Sequence, residues 1–217
     1  MARDKYSTQI ARFDGKNVFV EVLNNAFQIG KVQMNFIEYD GTTKKQTKKL
    51  DLFMDIGKAL VLSQDILSGK LAKTIEIAKR EGTFDGKAVN DYTCYFIDMG
   101  GQNEERVKRN LAKLGKNHSW LTEGMALSKQ FKIQAGKRVP WIFRAEYGVG
   151  ETNSTGLIVP KGMAKESINI PLTDENIKEF AIIIQMHIQA YFNQFYVKYN
   201  KELFPNDKIN VYNPTKK

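Results

Sequence analysis

Apolar and polar residues alternate along much of the first ninety positions. Val18, Val20 and Val22 share one side of their segment, and Val32, Met34 and Phe36 oppose Lys31, Gln33 and Asn35. A period of two marks strands with one buried face. Strands are predicted over 6–13, 18–23 and 27–39, the last bent at Gly30. Asp14-Gly15-Lys16-Asn17 reads as a hairpin turn, with Gly supplying the positive φ. A polar loop opened by Asp40-Gly41 carries Lys44, Lys45, Lys48 and Lys49. A short strand with Leu50 and Leu52 on one face then runs into a helix. Ala59, Leu62 and Ile66 recur at helical spacing, Asp55 is the expected cap, and Ser68-Gly69 is the stop. Residues 71–79 fit strand or helix equally, and 81–87 read as a link.

The remainder repeats this outline. A weakly alternating strand over 92–99 closes at Gly100-Gly101, and a charged helix covers 104–114 with its acids first, as the helix dipole favours. Strands are predicted over 126–134, 138–147, 157–159 and 167–171, with a loop from Gly148 to Thr155. Thr173 caps a long helix through Ile177, Phe180, Ile184 and Ile188, which runs on toward Tyr199. Pro205 ends any helix, and residues 213–217 read as a frayed tail. Leu50, Leu52, Met54, Ala59, Leu62 and Ile66 match Ile168, Ile170, Leu172, Ile177, Phe180 and Ile184 at a constant offset of 118. The expectation is an α+β fold of two antiparallel sheets, each followed by a packing helix. It forms one compact domain of two related halves, about 5–80 and 90–200.

Charge changes the picture. Against 24 Asp and Glu stand 33 Lys and Arg, a net charge of +9 over 217 residues. Such an excess favours a polyanionic partner over a neutral small-molecule substrate. Catalytic signals are sparse. There is no phosphate-binding loop and no nucleophile elbow. Gly148-Val149-Gly150 lacks the third glycine of a dinucleotide site. One cysteine, Cys94, excludes an intramolecular disulfide and a cysteine zinc site, and it reads as a small apolar residue. His118 reads as a surface histidine in a polar linker and His187 as a packed helix residue. The two are too far apart in sequence for a helical metal pair. No cofactor or metal is expected, and no enzyme activity. The opening residues lack the apolar run of a signal peptide, and no stretch reaches the roughly eighteen apolar residues that suggest a membrane span. A cytoplasmic location is the expectation.

What recurs is a strand with an apolar face opposite a face of Lys, Arg, Gln, Asn and aromatics. Lys31, Gln33, Asn35 and Tyr39 form one row. Gln130, Lys132 and Gln134 form another, joined by Arg138, Arg144 and Tyr147 from the next strand, where Trp141 and Phe143 read as core. Cations neutralise phosphates, amides bond base edges and aromatic faces stack bases. Any half-buried sheet shows the same alternation, but carboxylates are sparse in these rows. No groove-reading helix-turn-helix pattern is visible, which favours single strands. The predicted binding residues are Lys31, Gln33, Asn35, Tyr39, Lys132, Arg138, Arg144 and Tyr147. Lys31, Lys132, Arg138 and Arg144 are the phosphate contacts; Tyr39 and Tyr147 are the stacking residues.

The two strand-into-helix joints, Lys49-Leu50-Asp51-Leu52-Phe53-Met54-Asp55 and Ser167-Ile168-Asn169-Ile170-Pro171-Leu172-Thr173, resemble those of the PC4/Whirly single-stranded-DNA-binding fold. The likeness covers most of 6–67 and 125–190. The Lys-Gly-Lys-Ala motif of the plant Whirly branch is absent, and Val159-Pro160-Lys161-Gly162 does not replace it. The resemblance implies a curved antiparallel sheet before each helix, helices packed as a pair, and DNA along the exposed strands. It implies a monomer with an internal pseudo-dimer or a homo-oligomer. The expected function is a non-catalytic single-stranded-DNA-binding protein for replication, recombination or mobile-element transfer, with RNA as the alternative polymer. The competing readings are an OB-fold nucleic-acid binder, an interaction or structural protein with solvated basic faces, and an enzyme with a site around Glu146, Glu151 and the Gly148 loop.

Overall fold

The structure is a computed structural model that describes residues 8–203, with side chains as far as Val197. The first two residues of the opening strand, Tyr199 as a side chain, the Pro205 stop and the 213–217 tail lie outside what it describes. Strands β1 (Gln9–Asp14), β2 (Val18–Leu23), β3 (Lys31–Tyr39) and β4 (Gln46–Asp55) form an antiparallel sheet in chain order. The β1–β2 turn takes its positive φ at Asn17 (60°), not at Gly15. Gly15 instead leaves room for a neighbour, since a Cβ there would stand 3.0 Å from Pro171 Cδ. Residues 27–29 form a 3-10 turn ended by Gly30 in the left-handed region, so the predicted strand from 27 begins only at Lys31.

Helix α1 (Ile56–Leu67) follows β4 directly, and α2 (Lys70–Glu81) settles the open reading of 71–79 as helix. Leu71, Ile75 and Ala78 are its buried side, the spacing of one helical face. The expected link holds a small hairpin of β5 (Thr83–Phe84) and β6 (Lys87–Ala88). Asp55 makes no side-chain cap; its carboxylate accepts from Lys31 Nζ at 2.5 Å instead.

The second sheet contains β7 (Cys94–Gln102), β8 (Ala126–Ala135) and β9 (Trp141–Thr152), with α3 (Glu104–Asn117) between β7 and β8. Both β10 (Ile158–Pro160) and β11 (Glu166–Leu172) pair with β9, β11 along residues 141–147 and β10 along 150–152. The predicted loop at Gly148 is therefore strand, and Gly100-Gly101 lie inside β7 rather than closing it. These glycines allow a close crossing. A Cβ on Gly150 would stand 2.7 Å from Ile158 Cγ2, and one on Gly101 2.8 Å from the same methyl. Helix α4 (Asp174–Leu203) leaves β11 through a reciprocal cap: Asn176 N donates to Thr173 Oγ1 and Thr173 N to Asn176 Oδ1, each at 3.2 Å.

The sheets and helices share one hydrophobic core. Leu50, Leu52, Leu62, Ile66, Ile168, Ile170, Phe180 and Ile184 are all buried in it. Phe36 and Phe131 join the two sheets with ring centroids 6.1 Å apart. Phe180 of α4 meets Phe13 edge-on at 6.3 Å and Phe143 at 4.8 Å. Helices α1 and α4 pack on each other. The class is α+β with antiparallel sheets, and each large sheet has a strand running straight into one of the paired helices. No described helix is long and apolar enough to cross a membrane.

Candidate nucleic-acid interface

Strand alternation carries Lys31, Gln33, Asn35 and Tyr39 to the side of β3 away from the buried Val32, Met34 and Phe36. Their surroundings differ. Lys31 is tied to Asp55. Gln33 Nε2 donates to Asn35 Oδ1 at 2.9 Å, and Asn35 is buried, so its amide is not free for a base edge. Tyr39 lies against Phe19, centroids 5.9 Å apart, with Lys44 Nζ 5.8 Å from its ring.

On the second sheet Lys132 and Arg144 are cross-strand partners on the outer side. Both hold Glu146: Lys132 Nζ donates to Oε2, and Arg144 Nε donates to Oε1 at 2.5 Å. Burial pushes the Glu146 carboxyl up, but Lys132 and Arg144 outweigh it and leave it below its usual range. Side-chain exposures are 17% for Lys132, 21% for Arg144 and 13% for Glu146. Arg138 is exposed, but it sits in the turn before β9, because that strand starts at Trp141 and not at 138.

Tyr147 is not a stacking residue. Its side chain is among the largest fully buried ones, at 1% exposure. Its hydroxyl accepts from Asp51 N at 2.9 Å and donates to Asp51 O at 2.5 Å. It thereby satisfies both backbone groups that β4 presents at Asp51 on its unpaired edge. Lys129 Nζ lies 4.5 Å from the Tyr147 ring and donates to Asp51 Oδ2 at 2.9 Å. Burial pushes the Asp51 carboxyl up, and the Lys129 charge with its hydrogen bond outweighs this and holds it low. Burial lowers the Lys129 ammonium despite Asp51 and raises the Tyr147 hydroxyl well above its usual value. His118 is likewise buried, contrary to the surface reading. Its Nδ1 lies 2.9 Å from Glu166 Oε2, and Trp120 Nε1 donates to Glu166 Oε1 at 2.7 Å. The pair ties the linker before β8 to β11. His187 is exposed rather than packed, on the water side of α4.

Between edge strands β4 and β7 lies a groove of about 430 Å³ that sequence reasoning missed. Phe53 and Met99 line it from the outward sides of the two strands, 42% and 51% exposed, with exposed Ile97 next along β7. Lys31, Lys58, Lys129 and Arg106 supply positive charge. Lys31, Lys58 and Lys129 are paired with Asp55, Asp98 and Asp51. Arg106, on the first turn of α3, makes no ion pair among the described residues. Met99 is opposite Gln130 and Ile97 opposite Lys132, so the groove continues onto the outer side of the second sheet. Exposed Phe53 inside an alternating strand was the available signal. No group of three or more His, Cys, Asp or Glu suited to a metal occurs among the described residues. No family model, curated protein or solved structure matches the chain.

Proposed function

We propose that the protein is a non-catalytic binder of single-stranded DNA. The strand crosses the β4–β7 groove and continues over the outer side of β8 and β9. The observation that supports this most directly is the exposure of Phe53, Met99 and Ile97 on outward strand positions beside Lys31, Lys58 and Arg106. An exposed ring beside cations suits a polymer with stacking bases and regular negative charge. Duplex DNA stacks its bases internally and gains nothing from Phe53. We further propose that 5–80 and 90–200 are related halves in a PC4/Whirly-like pseudo-dimer. Two strand-into-helix joints at the same sequence offset and the packing of α1 on α4 support this. An extended peptide added to the β4 edge is the competing occupant. Tyr147 already holds the free backbone groups of Asp51, which removes part of that edge.

The test is a salt titration of binding to single-stranded DNA, single-stranded RNA and duplex DNA of matched length. Single strands should bind more tightly, with a log–log slope of about 0.7 per neutralised phosphate. Phe53→Ala should weaken single-strand binding by about 1–3 kcal/mol with the slope unchanged, because stacking releases no ions. Equal affinity for duplex and single strand, or affinity flat in salt, sinks the proposal.

A further inference from the structure

The outer side of the second sheet is partly roofed. Lys161 N donates to Val149 O and Lys165 N to Tyr147 O, each at 2.8 Å. The chain between β10 and β11 therefore arches over β9 at Gly148, where a Cβ would stand 3.3 Å from Ala164 Cα. Arch and strands line a half-open cavity of about 390 Å³. Gln130, Lys132, Arg144 and Glu146 line it from the strands; Gly162, Met163 and Ala164 line it from the arch. Gln130 is itself more than nine-tenths buried, and its Nε2 has only a long 3.4 Å bond to Ser128 Oγ. Met163 stands at the rim with 89% of its surface exposed.

This lining has a definite hydrogen-bond character. Glu146 accepts one bond on each carboxylate oxygen, from Arg144 and Lys132, and each oxygen keeps a second acceptor site. The Arg144 terminal nitrogens and the other Lys132 protons remain as donors beside it. A ligand that fits must offer two neighbouring donors to the carboxylate and acceptors to the flanking cations. Guanine does so, with N1–H and the 2-amino group adjacent and O6 and N7 accepting. The other three bases lack two neighbouring donors on the pairing edge. The carboxyl is held ionised by its two cations, and partial burial makes a mismatched polar edge costly.

We propose that this cavity receives one guanine base of a bound single strand, with its pairing edge on Glu146, its O6 side on Arg144 and Lys132, and Met163 covering its face. The assignment rests on the single-strand reading above and adds a base preference to it.

The experiment measures anisotropy with thymidine oligonucleotides carrying one central dG, dA, dC or deoxyinosine. The dG strand should bind about tenfold tighter than the all-thymidine strand. Deoxyinosine, which lacks the 2-amino group, should lose most of that gain. Glu146→Gln should abolish the dG preference, so that the dG and all-thymidine strands bind alike. Met163→Ala, at an exposed position, should weaken the dG complex without altering the salt slope or the melting temperature. All-thymidine binding with no base preference, or a dG preference that survives Glu146→Gln, overturns the guanine site and leaves the single-strand reading standing. Failure to bind any single strand overturns both.

Discussion

On the outer side of the first sheet, Arg12 pairs with Asp14 and Lys31 with Asp55, through side chains between 36% and 55% exposed. On the second sheet Lys132 and Arg144 share Glu146, all three at 21% exposure or less. Both rows come from the same alternation of apolar and polar residues. They differ in what lies above them. The first sheet's charges stand in water, where an ion pair contributes about 0–1 kcal/mol. The second sheet's charges sit beside the 161–165 arch, where removing one partner strands a half-buried charge. Outward on a strand and open to solvent are thus separate properties, and the second depends on a segment remote in sequence.

The largest effect should come from breaking the core that both large sheets share. Phe180→Ala should cost about 3–5 kcal/mol in urea unfolding, because the ring is buried against Phe13 on one sheet and Phe143 on the other. A cost below about 1 kcal/mol would mean that the two sheets do not depend on this contact.

Tyr147→Phe keeps the ring and removes the hydroxyl, leaving the Asp51 N–H without its partner and the C=O with only Lys129 Nζ at 3.3 Å. A loss of about 1–3 kcal/mol is expected, the cost of stranding a partly buried backbone N–H. Hydrogen exchange should quicken at Asp51. An unchanged exchange rate there would show that the Asp51 amide does not depend on the Tyr147 hydroxyl for its protection.

Lys132→Ala and Lys31→Ala put the comparison to a direct test. Lys132→Ala should cost about 1–2 kcal/mol, since it leaves Glu146 half-buried with Arg144 alone. The acid side sharpens this. Glu146 has a folded pKa below its unfolded value. Its contribution is complete above about pH 4.3 and is lost as pH falls through the lower folded value. The natural protein should therefore lose more stability between about pH 5 and pH 3 than Glu146→Gln does. Parallel pH profiles would remove the triad from the account. Lys31→Ala should change stability least, by less than about 0.5 kcal/mol. If it matches Lys132→Ala, the contrast between the sheets has no energetic content.

Much of the frame was legible in the sequence. Val32, Met34 and Phe36 against Lys31, Gln33 and Asn35 gave β3 its inward and outward sides, and the change from a strand period to a helical one placed both strand-into-helix joints. Boundaries were less legible where one residue type serves two purposes. Glycines at 100, 101, 148 and 150 read as breaks because glycine is common in turns. Here they sit within strands, and Gly101 and Gly150 make room for Ile158. Asn17 took the positive φ expected of Gly15, a conformation asparagine tolerates.

The candidate site was legible only as two separate rows. Lys31 and Lys132 were placed on outward sides, but their carboxylate partners came from other strands or across the same face. Tyr147 and His118 look like surface residues beside polar neighbours. They are buried because Asp51 and Glu166, remote in sequence, supply hydrogen bonds that offset the cost of burying them. Local sequence determined the strand period, the helix spacing and the side each residue faces, because these follow from backbone geometry over a few residues. Which edge strands meet, what roofs a strand and which polar group finds a partner were decided by tertiary structure. Those contacts join positions as distant as Asp51 and Tyr147, between which no local period carries information.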